Sequence, residues 1–186
     1  MTVEFQAWPK TARLFRDVVI TEKIDGSNAA LHITEDGQVF AQSRKRLITP
    51  EDDNFGFAGW AQKNATALAE TLGVGTHFGE WWGSGINRGY GFTKGLDERF
   101  FSLFNTAKWA SEPLYAFVPN LLTVPVLYEG VFSQGAIVEA IDTLANYGSY
   151  ASPDFMRPEG ICIFHTQSRK VYKYTPFDGD GHKGNS

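Results

Sequence analysis

The stretch VVITEKIDGSN, residues 18–28, sets the fold because it holds a strand, a tight turn and the start of a second strand. β-Branched residues dominate positions 18–21, as in a strand, and Asp25-Gly26 is a dipeptide typical of turns. Beyond it, apolar and polar residues alternate over 28–34, which predicts a strand with one buried face. Two consecutive strands are therefore expected, joined by a sharp turn directly after Lys23.

The second strand is predicted to return in a hairpin. Asp36-Gly37 suits a two-residue loop, and residues 39–43 alternate again in polarity. That loop sets Asn28 opposite Lys45, so the basic cluster at 44–46 is expected beside the turn that follows Lys23.

The remaining chain combines strands with two helices. One helix is predicted over 57–72, ended by Gly73, and another over 134–147, capped by Ser133 and ended by Gly148. The apolar stripe of the second helix is predicted at Ile137, Ile141 and Leu144. Further strands are expected at 76–81, 99–104, 125–131, 160–165 and 170–174. This order predicts an α+β fold with antiparallel sheets rather than a doubly wound parallel sheet.

Length and composition narrow the class of protein. The 186 residues fit a single domain, 1–186. With 17 Lys+Arg against 21 Asp+Glu, the net charge is −4, so any contact with nucleic acid must be local. Cys162 is the single cysteine, and the sequence shows neither a signal peptide nor an apolar run long enough for a membrane span. A cytoplasmic location is expected.

Lys23 is the first candidate for chemistry. A lysine that ends a strand before a glycine turn can be held firmly in a cleft. Lysine is nucleophilic only in its neutral form, which requires a site that excludes water or holds nearby cations. Taken alone, KxDG is a string that arises by chance, and an exposed strand lysine is then the better interpretation.

Five further segments favour a catalytic Lys23 over an exposed strand lysine, because they follow Lys23 in a fixed order. Together the six segments resemble the motifs of the covalent nucleotidyltransferases: DNA ligases, RNA ligases and mRNA capping enzymes. They are KIDGSN at 23–28, SR at 43–44, FGEWWG at 78–83, FFSLFNT at 100–106, EGICI at 159–163 and VYKY at 171–174. Asn28 stands where DNA ligases and capping enzymes usually carry arginine, and TEKIDGSN is most similar to the nick-sealing, phage-type RNA ligases.

The resemblance implies a role for each matching residue. Lys23 is implied to attack the α-phosphate of ATP and to carry AMP as lysyl-AMP. Arg44 and Lys173 are implied to contact phosphate, and Glu80 to bind the ribose hydroxyls. Phe101 is implied to stack on adenine, with core packing as its alternative.

The resemblance also implies a divalent cation, Mg²⁺ or Mn²⁺, with carboxylate ligands. Glu159 is the first candidate ligand, with a surface glutamate as its alternative, and Asp25 is the second. Asn28 is expected to organise the waters of the metal or the nucleotide. Glu22 and Gly26, in the same motif as Lys23, are expected to lie against the nucleotide.

Two positions depart from the family pattern. Many relatives carry a second lysine two residues after the first in the last motif, where this chain has Thr175. Lys170 or Lys183 is left as a substitute. Asn105 stands where aspartate is common.

Strand alternation adds a geometric condition, because Glu159 and Lys173 must face one cleft. A two-residue loop between the last two strands pairs Cys162 with Lys173 and turns Glu159 away. A three-residue loop at 167–169 pairs Ile163 with Lys173 and turns Glu159 inward. The sequence therefore predicts an odd-length loop or a bulge near Gly160.

The function implied is an ATP-dependent RNA ligase, which joins a 5′-phosphate to a 3′-hydroxyl through lysyl-AMP and an adenylated polynucleotide. RNA is the expected partner, with DNA as an alternative. The chain ends shortly after Tyr174, so no appended OB-fold or C-terminal nucleic-acid domain is expected, and an accessory RNA-binding partner is one consequence. The alternatives are a DNA ligase core, a capping guanylyltransferase and a nucleotide- or RNA-binding module without full activity. The Gly-rich stretch at 83–95 is either a loop that touches the polynucleotide or a plain loop.

Overall fold

The computed structural model describes residues 2–93 and 98–178. The strands in these residues are β1 (Asp17–Lys23), β2 (Ser27–Ile33), β3 (Val39–Ser43), β4 (Leu47–Ile48), β5 (Gly75–Gly83), β6 (Arg99–Leu103), β7 (Leu121–Thr123), β8 (Val126–Val131), β9 (Gly160–His165) and β10 (Lys170–Tyr174). The helices are α1 (Phe57–Lys63), α2 (Ala65–Leu72), α3 (Thr106–Trp109) and α4 (Gln134–Tyr147). The predicted α+β class is confirmed.

The strands form two sheets. The large sheet has the order β4-β3-β2-β5-β6-β7 and the small sheet the order β10-β9-β1-β8. All pairings of the named strands are antiparallel except that of β6 with β7. The large sheet is formed by one continuous stretch of chain, from β2 to β7. The small sheet joins β1, which precedes this stretch, to β8, β9 and β10, which follow it. The chain passes from one sheet to the other at residues 24–26, directly after Lys23.

Three hydrophobic clusters hold these layers together. The first packs one face of the large sheet on α1 and α2, and the second packs one face of the small sheet on α4. The third lies where the sheets meet, around Trp82, Tyr90 and Phe155. On the remaining faces of the two sheets, Lys23, Glu80 and Glu159 lie near one another, and we call the region around these three side chains the cleft.

The hairpin of β2 and β3 differs from its prediction by one residue. Ile33 pairs with Val39, and the N–H of Thr34 donates to Gln38 O at 3.0 Å, so the loop has three residues, 35–37. Gly37, with φ 79°, supplies the left-handed residue that such a loop requires. The predicted two-residue loop is wrong. Continuing the observed register sets Arg44, rather than Lys45, opposite Asn28.

The two predicted helices fared differently. The stretch 57–72 is broken into α1 and α2 at Asn64, whose side-chain amide donates to Trp60 O at 2.8 Å and competes with the backbone. The helix over 134–147 is confirmed with its ends: the N–H of Ala136 donates to Ser133 Oγ at 3.0 Å, and Gly148 ends it with φ 75°.

The buried stripe of α4 is displaced from its prediction. Its fully buried residues are Ala136, Ala140 and Leu144, while Ile137 and Ile141 pack at the margin of the same cluster. None of the helices in residues 2–93 and 98–178 is long and apolar enough to cross a bilayer.

Candidate active site at the junction of the sheets

Lys23 lies at the end of β1, where the chain leaves the small sheet. Its Nζ donates to Glu159 Oε2, and the two side chains are only 23% and 14% exposed. The ion pair joins residues that are far apart in sequence, and it places an amine and a carboxylate together in a largely enclosed cleft. The two are brought together as their motifs imply.

Backbone geometry at Gly160 allows Glu159 to reach Lys23. The register of β9 and β10 pairs Cys162 with Lys173 across a four-residue loop, so the predicted odd-length loop is wrong. The irregularity lies at Gly160 instead, where φ is 151°. A Cβ there would collide with the carbonyl oxygen of Tyr174, so this close approach of two strands requires glycine.

The same registers place Lys173 on the side of Lys23. Lys23 pairs with Gly160, Thr21 with Cys162, and Cys162 with Lys173, so these side chains share the cleft face of the small sheet. Lys170 lies an odd number of positions from Lys173, on the other face, and cannot replace the missing motif lysine. Lys183 lies outside the described residues. Burial raises the pKa of the Cys162 thiol, which favours its protonated form.

Asp25 is held by the stretch that follows β5. Arg88 Nε donates to Asp25 Oδ2 and Asn87 Nδ2 to Oδ1, each at 2.9 Å, and the N–H of Asp25 donates to the Tyr90 hydroxyl at 2.7 Å. Both carboxylate oxygens are therefore engaged, which does not support the predicted metal contact of Asp25. The described part of the Gly-rich stretch at 83–95 thus braces the turn after Lys23, a role that its sequence did not reveal.

Glu80 faces Lys23 from the large sheet. It pairs with Asn28, and its Oε1 accepts the N–H of Gly26 at 3.1 Å. Burial raises the pKa of Glu80 to about 7, and the charge of Lys23 offsets part of this effect. Asn28 is exposed beside it. Glu80 is therefore a poorly solvated carboxyl at the apex of the cleft.

Glu22 points away from the cleft, because neighbouring strand residues face opposite sides. It is 1% exposed and accepts hydrogen bonds from Ser149 Oγ at 2.6 Å, Tyr150 N at 2.8 Å and Ala151 N at 3.0 Å. Burial raises its pKa, against these donors. The expected nucleotide contact of its carboxylate is wrong in this arrangement, since Glu22 anchors the loop after α4.

Phe101 also lies on the wrong side of its sheet to stack on a nucleotide. Its ring is 0% exposed and packs against Phe57 at a centroid distance of 4.9 Å, so the core-packing alternative holds. Residues 78 and 104 share the face of Glu80: Phe78 is 52% and Phe104 42% exposed, and the N–H of Phe104 donates to Phe78 O at 3.0 Å. The sequence signal that could have identified Phe78 and Phe104 is the alternation of strand residues between the two faces, counted from Glu80.

Arg44 follows β3 and is exposed, at the position opposite Asn28. Within residues 2–93 and 98–178, no group of three or more His, Cys, Asp or Glu side chains is arranged to hold a metal ion.

Solved structures with a similar fold are RNA ligases of Naegleria gruberi. A variant with ATP and Mn matches with a TM-score of 0.65 and 16% identity over 92% of this chain and 53% of that chain. A variant with AMP and Mn matches with a TM-score of 0.63 and 17% identity over 87% and 50%. At these identities the likeness shows the fold, and the chain spans about half the length of those proteins.

No curated protein sequence matches the chain. The family described as RNA ligase does match, over residues 16–175, which include both sheets and every described residue discussed at the cleft. The chain therefore belongs to the RNA ligase family.

Proposed function

We propose that this chain is the nucleotidyltransferase domain of an ATP-dependent RNA ligase and that Lys23 carries AMP. The observation that supports this most directly is the ion pair of Lys23 and Glu159 at the junction of the sheets, facing Glu80. An exposed lysine with no partner would be ordinary, whereas this amine is largely enclosed and held by a carboxylate from a distant segment.

The first step is an in-line attack by Lys23 Nζ on the α-phosphorus of ATP. An N–P bond forms, the P–O bond to pyrophosphate breaks, and the protons that the Lys23 ammonium loses pass to solvent. Because Lys23 donates to Glu159 in this arrangement, nucleotide binding must separate the two side chains before attack. Positioning and charge neutralisation supply most of the catalysis in such transfers.

Five side chains around Lys23 are proposed to hold the nucleotide. Glu80 accepts from the ribose hydroxyls, and Arg44 and Lys173 contact the phosphates from opposite walls of the cleft. Phe104, exposed on the face of Glu80, takes the adenine contact first assigned to Phe101. Asn28 lies beside Glu80 and is proposed to contact the ribose or the phosphates.

A divalent cation fits Glu159, whose carboxylate is a hard oxygen ligand beside the expected phosphates. The Naegleria proteins were solved with Mn and ATP or AMP, which supports the same requirement here. When bound, Mg²⁺ or Mn²⁺ neutralises phosphate charge. Asp25 is assigned to the turn rather than to the cation.

Two later steps complete the proposed reaction. The 5′-phosphate of an RNA strand displaces Lys23 from AMP, and a 3′-hydroxyl then attacks the adenylated end, forms the phosphodiester bond and releases AMP. Family membership supports RNA as the substrate.

Labelling with ATP that is radioactive at the α-phosphate tests the first step. Wild type should retain label after denaturation, and the label should resist base and be lost in acid. Lys23→Ala should retain none. Lys170→Ala, on the other face of the small sheet, is the matched control and should label normally. Absence of label on nucleotide-free wild type would reject the proposal.

A further inference from the structure

The large sheet has an open face beyond the candidate active site. Glu80 and Asn28 form one row across it. The next positions outward are Gln42, Ala30 and Phe78, followed by Phe40, His32 and Thr76. We call the set Phe40, Phe78, His32, Gln42 and Thr76 the aromatic platform.

The two phenylalanines of the platform are exposed, whereas the opposite face of the sheet is buried in the main core. Phe40 is 45% and Phe78 52% exposed, while the opposite face of the same strands holds Leu31, Ala41 and Trp81 in the main core. The helices α1 and α2 cover only that opposite face. Two large rings thus remain in solvent on a flat surface that leads into the cleft.

A hydrogen-bond network fixes the surface between the rings. His32 Nδ1 lies 2.8 Å from Thr76 Oγ1, and His32 Nε2 lies 2.5 Å from Gln42 Oε1. These bonds link three neighbouring strands, so the platform is rigid and polar at its centre. Its two rings are two strands and one row apart, a separation of about 12 Å.

Positive charge lies at one edge of the platform. Arg44 and Lys45 follow β3, are exposed, and have no ion-pair partner in the described part of the chain, whereas Arg46 is paired with Asp52. The chain as a whole is acidic, at −4, so this local charge favours an anionic partner at this edge in particular.

We propose that the aromatic platform binds a single-stranded segment of the polynucleotide next to the ends to be joined. Bases stack on Phe40 and Phe78, and the phosphates pass along Arg44 and Lys45. Exposed aromatics on an open sheet with cations at its edge suit unstacked bases, and RNA-recognition sheets hold two or three bases in this manner. A duplex keeps its bases stacked inside and offers none to these rings. The inference rests on the proposed ligase function for its biological setting.

The test is binding of a short fluorescent oligouridylate to the chain without ATP, compared with a blunt hairpin duplex. Phe40→Ala and Phe78→Ala should each weaken oligouridylate binding about fivefold or more, since one stacked base contributes at least that much. Phe40→Trp should retain binding. Tyr147→Ala removes an aromatic on α4 that is more exposed than either phenylalanine, and this control variant should bind normally. Lys45→Ala should reduce the salt dependence of binding.

Labelling with ATP separates this inference from the proposed function. Phe40 lies two strands from Glu80, and its row is the second one outward from that of Glu80 and Asn28, so Phe40→Ala should label at the wild-type rate while losing oligouridylate affinity. Unchanged binding in both alanine variants would overturn the platform, whatever the labelling shows. Equal losses for duplex and single strand would also overturn it, as would self-association that Phe40→Ala abolishes without any effect on oligouridylate.

Discussion

At the scale of single residues, Glu80 is a carboxyl group whose charge changes near neutral pH. Burial raises its pKa from 4.5 to about 7, so the folded chain favours its neutral form. The stability that Glu80 contributes is therefore fully present below about pH 4.5 and is lost as the pH rises through about 7. The loss is at most about 3 kcal/mol, at 1.36 kcal/mol per pH unit.

Glu80→Gln should remove this part of the pH dependence. Urea unfolding at mildly acidic and mildly alkaline pH measures it: wild type should lose more stability with rising pH than the variant does. The raised pKa of Glu22 acts in the same direction but is present in both proteins, so it cancels in the comparison. Parallel profiles for the two proteins would show that Glu80 ionises at an ordinary pH.

Residues 22 and 23 show how far sequence reasoning reached at this scale. The resemblance singled out Lys23, Glu80 and Glu159, which the structure brings near one another, and the roles that it implies for them stay predictions. It could not assign the faces of the strands, since Glu22 and Phe101 fit their motifs by letter while pointing into the protein. Because strand residues alternate between faces, Glu22 lies on the face opposite to Lys23 and Phe101 on the face opposite to Glu80, so neither shares the face of the candidate site.

At the scale of elements, the meeting of β9 and β10 depends on Gly160. Its φ of 151° and the nearby carbonyl of Tyr174 leave no room for a Cβ. Gly160→Ala should destabilise the chain by about 1–3 kcal/mol and reduce labelling by ATP, because Glu159 would be displaced from its proposed place beside the cation and the phosphates.

Gly135→Ala is the matched control for Gly160→Ala. Gly135 lies in the first turn of α4, and a Cβ there meets only Ser133 Oγ at 3.7 Å. This variant should keep or slightly raise the melting temperature and label normally. Similar losses in both variants would contradict the role assigned to Gly160.

Elements whose ends are marked by residues in the local sequence were predicted well, and elements that depend on contacts elsewhere in the structure were not. Ser133 and Gly148 bound α4 by capping chemistry that sequence displays. The break between α1 and α2 depends on the side-chain hydrogen bond of Asn64, and the three-residue loop at 35–37 depends on the left-handed conformation of Gly37. Neither was predicted. The strand β7 was missed because three residues paired in parallel to β6 carry too little periodicity.

At the scale of the whole molecule, the sequence predicted an α+β fold but not how the sheets divide the chain. The six strands from β2 to β7 make one sheet. Strand β1 precedes them in the chain and pairs with β8 and β9, which follow them. No pattern within β1 indicates a partner so far away. The separation into two cores, one on each sheet, follows from this topology.

The same topology has a consequence for the order of folding. Strand β2 pairs with β3 across a three-residue loop and with β5 across about 40 residues, while β1 must close a loop of about a hundred residues to reach β8. We expect amides of β2 and β3 to gain hydrogen-exchange protection before those of β1 in a pulse-labelling experiment. Simultaneous protection would contradict this order. During synthesis, β1 must wait, unpaired and apolar, until β8 and β9 emerge. We therefore expect the lysine at its end to reach its carboxylate partner only in the last stage of folding, so that a nascent or truncated chain holds the proposed nucleophile without its site.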